Sequence, residues 1–196
     1  MQIDYNILIT YGGVAKKFAK GEYIYTEGSL PHFYHQIIEG DVKLFSANDN
    51  GKEIIQGIFT IGQSFGEPPL LLEKPYISNA IATSPLVVIR ITRDKLLNIF
   101  KDFPEITTSF LFNFAERLYD KASLVQIRIG TTPEDIIELF LFRYKENLNT
   151  NELLLIPYTR QQIADFTSLR VETVIRTLRK MNADGTVKII DHKLYY

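Results

Sequence analysis

Glu172 and Arg176, four residues apart, carry the sharpest chemistry in the chain. They stand within Arg170 to Met181, where Val174, Leu178 and Met181 recur at the spacing of one helix face. The opposite face gathers Val171, Glu172, Arg176 and Arg179, with Arg170 and Thr173 at its flank. An arginine so placed can give two hydrogen bonds to guanine O6 and N7, and a glutamate can accept one from cytosine N4. Arg179 and Lys180, farther along, suit phosphate contact rather than base contact. An ordinary helix pair with a solvated charged face has the same spacing, so the neighbouring elements must decide between the two.

Those neighbours favour the first reading. Arg160 to Phe166 has a helical pattern that buries Ile163 and Phe166 and puts the small Ala164 where a second helix can cross closely. Thr167-Ser168 is a polar connection between the two helices. After them, Asp184-Gly185 signals a turn, and Val187-Lys188-Ile189 and Lys193-Leu194-Tyr195 alternate as short strands around Asp191-His192. Two helices followed by a hairpin form a winged helix. From Pro157 onward there are seven Lys or Arg against four Asp or Glu, although the whole chain has 22 against 23. Cations therefore collect on the element that would meet nucleic acid.

The rest of the chain must position this reader. With 196 residues, 45% hydrophobic and 12% aromatic, it can build a packed core in one large or two small domains. The absence of Cys rules out a disulfide framework, a thiolate zinc site and a thiol sensor. No signal-peptide pattern opens the sequence and no run of about 18 apolar residues could span a bilayer, so a cytoplasmic location is the default expectation.

Residues 14 to 91 read as short strands between regularly spaced glycines, a barrel, sandwich or roll, with Asp49-Asn50-Gly51 as a hairpin turn. From Thr92 the period becomes helical. Pro104 opens a long helix expected over 104–129, with Ile106, Phe110, Phe114, Leu118, Val125 and Ile129 on a broad stripe. Leu111, Phe112, Tyr119 and Leu124 add apolar surface away from that stripe. One face can cover the roll while another meets a second copy, so the pattern predicts a homodimer. Gly130 ends the helix. This places residues 1–130 in a sensor-like unit and 131–196 in the reader, with a further helix to about Leu148 and a short strand at Leu153 to Ile156.

A β-roll, a long helix and a C-terminal winged helix together resemble the cyclic-AMP receptor and fumarate-nitrate regulator superfamily of bacterial transcription factors. The resemblance spans nearly the whole chain. It is most specific at Thr159-Arg160-Gln161-Gln162-Ile163, at Glu172-Thr173-Val174-x-Arg176 and at Phe65-Gly66-Glu67. It implies an α+β fold, a cyclic-nucleotide-binding-like roll with a dimerisation helix, and a sequence-specific DNA-binding regulator; no cofactor is expected, because the chain has no Cys and no dinucleotide motif. The implied partners are a near-palindromic duplex, a second copy of the chain, RNA polymerase and a small-molecule effector of unknown identity. By the resemblance, Glu172 and Arg176 read base edges, while Thr159, Gln161, Arg170 and Thr173 touch phosphates. Position 171, often Arg or Ser among relatives, is Val here, and a valine can lie against a thymine methyl.

Relatives that bind cyclic AMP begin a pocket loop with Gly-Glu, where Glu holds the ribose hydroxyl, and end it with Arg followed by Ser or Thr, where Arg pairs with the cyclic phosphate. Aligned from Gly66-Glu67, this chain has Ile77 and Ser78 at the end of that loop. A buried phosphate without a paired cation is heavily penalised, so the roll is expected not to take cyclic AMP; Gly66, Glu67, Ile77 and Ser78 stay as candidates for the pocket of another effector, with a structural acceptor as the alternative role of Glu67.

Two other classes fit less well. A cupin-like metal enzyme needs several converging His, but this chain has three, and the spacing of His32 and His35 turns them to opposite strand faces while His192 falls in the wing. A surface or loop position is expected for the first two. No catalytic triad or phosphate-cradling loop appears. A protein-binding winged helix is disfavoured by the basic residues Arg170, Arg176, Arg179 and Lys180.

Overall fold

The computed structural model describes residues 3–47, 53–127, 132–146 and 152–196. The chain divides into two compact units, 1–119 and 120–196. The boundary expected at Gly130 and the Asp49-Asn50-Gly51 turn both lie outside the described residues.

The first unit opens with helix α1 (Tyr5–Thr10) and strands β1 (Val14–Phe18), β2 (Tyr23–Tyr25), β3 (Phe33–Glu39), β4 (Val42–Ala47), β5 (Glu53–Phe59) and β6 (Ser64–Phe65). A short helix α2 (Glu67–Leu72) leads to β7 (Asn79–Ala82) and β8 (Leu86–Thr92), and then to helix α3 (Arg93–Asp102). Two antiparallel four-stranded sheets result, ordered β1-β8-β3-β6 and β2-β7-β4-β5. This is the roll.

Strand β3 shows how the roll is built. Four consecutive residues, Tyr34, His35, Gln36 and Ile37, are buried because both faces of the strand are covered. Ile37 joins Phe65, Tyr76 and Val88 in the roll interior, whereas Tyr34 joins Leu8, Ile91, Leu96 and Ile99 under the helices. The alternation is the two-residue period of a strand dividing one chain between two cores. Gln36 points to the helical side, where its amide accepts from Ile3 N at 2.9 Å and donates to Ile3 O at 2.8 Å. Tyr34 Oη donates to the same amide oxygen at 2.9 Å, which leaves no buried polar atom of Gln36 without a partner.

Helix α4 (Pro104–Ile127) follows α3, with its proline in the first turn as expected. Ile106, Phe110 and Phe114 pack on the roll's helical side, Phe110 lying edge-on to Phe100 at 4.9 Å and to Phe114 at 4.7 Å. Leu118, expected on that same stripe, is instead 69% exposed. It belongs with Leu111, Phe112 and Tyr119, which are also exposed. Leu111 and Leu118 are seven apart, so they lie two turns apart on one face of the helix.

The second unit holds α5 (Pro133–Glu146), β9 (Leu155–Ile156), α6 (Arg160–Thr167), α7 (Val171–Ala183), β10 (Lys188–Ile190) and β11 (Lys193–Tyr195). Ile137, Leu141, Ile163, Ala164, Val174, Leu178, Met181, Val187 and Leu194 form its core. The strand expected at Leu153 to Ile156 is only two residues long and pairs Ile156 with Leu194.

Candidate nucleic-acid interface and roll interior

Local sequence sets the reader's geometry. Thr159 caps α6: its hydroxyl accepts from Gln162 N at 3.1 Å, and Thr159 N donates to Gln162 Oε1 at 2.8 Å, a reciprocal capping box. Ser168 ends the helix in the left-handed region at φ 60°, which turns the chain into α7. Ala164 is buried, so α6 and α7 meet at close range. Phe166, expected in the core, is half-buried in an aromatic group with Phe140 and Tyr158, at 5.3 Å and 5.2 Å.

Helix α7 buries Val174, Thr177, Leu178 and Met181 and turns Glu172, Arg176 and Arg179 to the outside. None of these three has an ion-pair partner among the described residues. Arg170 is exposed at the N-cap and Thr173 is half-buried at the flank. Gln161 is exposed, its amide donating to Asp165 Oδ1 at 2.8 Å.

Two expected contacts are placed differently. Val171 does not stand on the outer face: it packs partly buried against the reader's core, on the side of Val174 and Leu178. Lys180 is turned toward α5, where its ammonium meets Glu134 Oε1 at 2.8 Å. That hydrogen bond and charge hold the Glu134 carboxyl below its usual range and the Lys180 amine above. The carboxylate therefore meets the charge that the sequence reading assigned to phosphate.

The structure adds residues that the sequence reading had passed over. A cleft beside α7 is lined by Thr159, Arg160, Arg179, His192 and Lys193 together with apolar residues, among them Ile156, Ile175, Leu178 and Leu194. Arg160 lies across it, its guanidinium donating to His192 O at 3.4 Å. The wing turn holds both Asp191 and His192 at positive φ, 48° and 62°, the geometry of a two-residue hairpin that follows the strands' twist. The uneven distribution of cations in the sequence was the only earlier sign of this cleft.

In the roll, Gly66 is left-handed at φ 78° and lies so close to two rings that a Cβ would meet Tyr25 Oη at 3.0 Å and Tyr76 Cε1 at 3.2 Å. Tyr25 and Tyr76 stack face to face, centroids 3.5 Å apart and planes within 2°. Burial raises both hydroxyls well above the ordinary tyrosine range. Glu67, 2% exposed, accepts from Ser64 Oγ at 2.5 Å and pairs with Arg117 of α4 at 3.3 Å. Arg117 also donates to Ser64 O at 3.3 Å and lies over the Phe59 ring. Ser78 is buried, but Ile77 is 69% exposed, with only its carbonyl engaged, by Ser46 Oγ.

His35 also departs from expectation. It is buried facing the roll interior, stacked on Phe65 at 5.3 Å, and its Nδ1 has no hydrogen-bond partner among the described residues. Desolvation, with Arg90 nearby, lowers its pKa to about 3. His32 is exposed. Among the described residues no three His, Cys, Asp or Glu converge to hold a metal ion, and no helix is long and apolar enough to cross a membrane.

Comparison with known proteins agrees with this architecture. Residues 15–103 match the cyclic nucleotide-binding domain and residues 136–195 the Crp-like helix-turn-helix domain. The chain is 23% identical over 178 residues to the nitrogen fixation regulation protein FixK of Bradyrhizobium diazoefficiens, covering 88% of this chain and 73% of that one. It is also 23% identical over 183 residues to the cyclic AMP receptor protein of Thermus thermophilus, covering 88% and 78%. Among solved structures, FixK2 from Bradyrhizobium japonicum superposes with a TM-score of 0.74 at 20% identity over 93% of this chain and 91% of that chain. A likeness at that identity speaks for the fold.

Proposed function

Because the chain belongs to the Crp/Fnr family of transcription regulators, we propose that α7 reads base edges in a major groove. The observation that carries this is the outward set of Glu172, Arg176 and Arg179, none paired to another side chain among the described residues, on the second helix of a helix-turn-helix. In this reading Arg176 takes guanine and Glu172 accepts from cytosine. Thr159, Gln161, Arg170, Thr173 and Arg179 contact the backbone and set the register. Two copies joined along the exposed face of α4 hold two readers about 34 Å apart, matched to a near-palindromic site.

The roll is a sensor fold that does not take cyclic AMP. Gly66 lies against the stacked Tyr25 and Tyr76 rings, Glu67 is already held by Ser64 and Arg117, and the position of the family's phosphate-pairing arginine is an exposed isoleucine. Any signal acting through the roll must bind two arrangements of the dimer with different affinity.

Selection of bound duplexes from a random pool at fixed salt, with and without cyclic AMP, tests both statements. The same two-fold-related consensus is expected in both arms. Enrichment only with cyclic AMP would overturn the reading of the roll, and no enrichment in either would overturn that of the reader. Arg176→Ala should cost about 1 to 3 kcal/mol on the selected site and relax one base pair. Equal loss on random DNA would remove Arg176 from base reading.

A further inference from the structure

The cleft beside α7 joins two kinds of surface. Its rim carries Arg160, Arg179, His192 and Lys193, and no Asp or Glu among the described residues lines it. Its floor is the reader's core at Ile156, Leu178 and Leu194, and its walls are the half-buried Tyr158 and Ile189 and the exposed Ile175. The cleft measures about 590 Å³. Small-molecule sites have volumes of this order, and they too are mostly apolar with a few polar groups that fix orientation.

DNA accounts for only part of this surface. A backbone phosphate is met by the rim cations, but it loses water and gains no partner against aliphatic walls. Arg160 is half-buried where Arg179 and Lys193 are exposed, and burial lowers its pKa. Its bond to His192 O is long, at 3.4 Å, and uses one of several guanidinium donors. A carboxylate joined to a hydrocarbon or aryl body suits both surfaces. The acid takes paired hydrogen bonds from a guanidinium, and the body covers apolar wall. We propose that this cleft is a binding site for a small amphipathic carboxylate, whose acid pairs with Arg160 and whose apolar body lies along Tyr158, Ile175 and Ile189. Thr159 and Arg179, assigned above to the DNA backbone, line the same cleft, so the ligand competes with the duplex. The competition rests on that assignment, whereas the binding itself does not. The reader thereby has an input of its own, separate from the roll.

Octanoate is the probe. Acetate keeps its acid, octanamide keeps its chain, and inorganic phosphate stands for the DNA backbone. Followed by NMR of the full chain without DNA, octanoate should bind with a Kd of about 1 mM, and each of the other three about tenfold more weakly or worse. Arg160→Gln should weaken octanoate about tenfold by loss of the charge-assisted pair, and Ile175→Ser about threefold by loss of apolar contact. On the enriched duplex, about 5 mM octanoate should weaken binding at least about sixfold against the same concentration of acetate, which matches the salt. The proposal is overturned by octanoate binding no tighter than its three controls, by both variants binding it as wild type does, or by DNA binding equal in octanoate and acetate. The ligand series on wild type keeps the test open to refutation if either variant unfolds. If octanoate binds as expected and no duplex enriches from the random pool, the reading of α7 falls and the ligand site stands. If a duplex enriches and octanoate does not bind, only the ligand site falls.

Discussion

Removing Arg117 breaks the Arg117–Glu67 ion pair that ties α4 to the roll's loop helix. Glu67 is 2% exposed and Arg117 32%, so the pair lies between a surface bridge worth about 0 to 1 kcal/mol and a buried one whose breaking costs about 3 to 5. Arg117→Ala leaves the Glu67 carboxylate with Ser64 as its only side-chain donor among the described residues and forfeits the Phe59 contact, at a cost near 2 kcal/mol. With a urea slope of about 2 kcal/mol per molar, the transition of the first unit should move down by about 1 M, read by circular dichroism on the full chain. Adding Glu67→Gln removes the stranded charge, so the double variant should be markedly more stable than the sum of the two single losses implies. Additive losses, or a midpoint unmoved by Arg117→Ala, would refute the coupling.

His35 has a folded pKa near 3 against 6.5 for the free side chain, so the unfolded chain takes up its proton first as pH falls. The stability from keeping His35 neutral is complete above about pH 6.5 and declines below it by about 1.4 kcal/mol per pH unit toward pH 3. His35→Leu should lose that part of the slope, and unfolding curves of the two proteins that stay parallel from about pH 7 to about pH 4 would contradict it. Thr159→Ala should destabilise the reader by about 1 kcal/mol through loss of the capping box, with Thr159→Ser retaining stability; equal stability of all three would show that the cap contributes nothing. In binding measured across several salt concentrations, Arg179→Ala should flatten the logarithmic slope by about 0.9 per half-site, whereas Lys180→Ala, its charge already met by Glu134, should leave it unchanged. A flattened slope for Lys180→Ala would return that residue to the phosphate contacts.

The reader was legible because its signals are local. Thr159 and Gln162 form their cap within one turn, and Ala164 marks the helix crossing within the same short segment. Val171 was misplaced although the pattern held the answer: positions 171, 174, 178 and 181 alternate steps of three and four, so Val171 continues the buried stripe. The roll was legible as strands, not as a site. Glu67 and Arg117 are fifty residues apart, and Tyr25 and Tyr76 come together only when β2 and the segment before β7 are folded, so no spacing foretold either contact. His35 looked superficial because polar residues usually are, but a strand covered on both faces buries every residue in turn.

The exposed run of Leu111, Phe112, Leu118 and Tyr119 also bears on dose. If the dimer proposed above forms along this strip, covering it with a second copy makes assembly part of occupancy. While monomer predominates, the DNA-competent species grows with the square of the amount of chain, so doubling expression raises promoter occupancy about fourfold. In that proposed dimer the response to abundance would be set by how much apolar surface one helix brings to the contact.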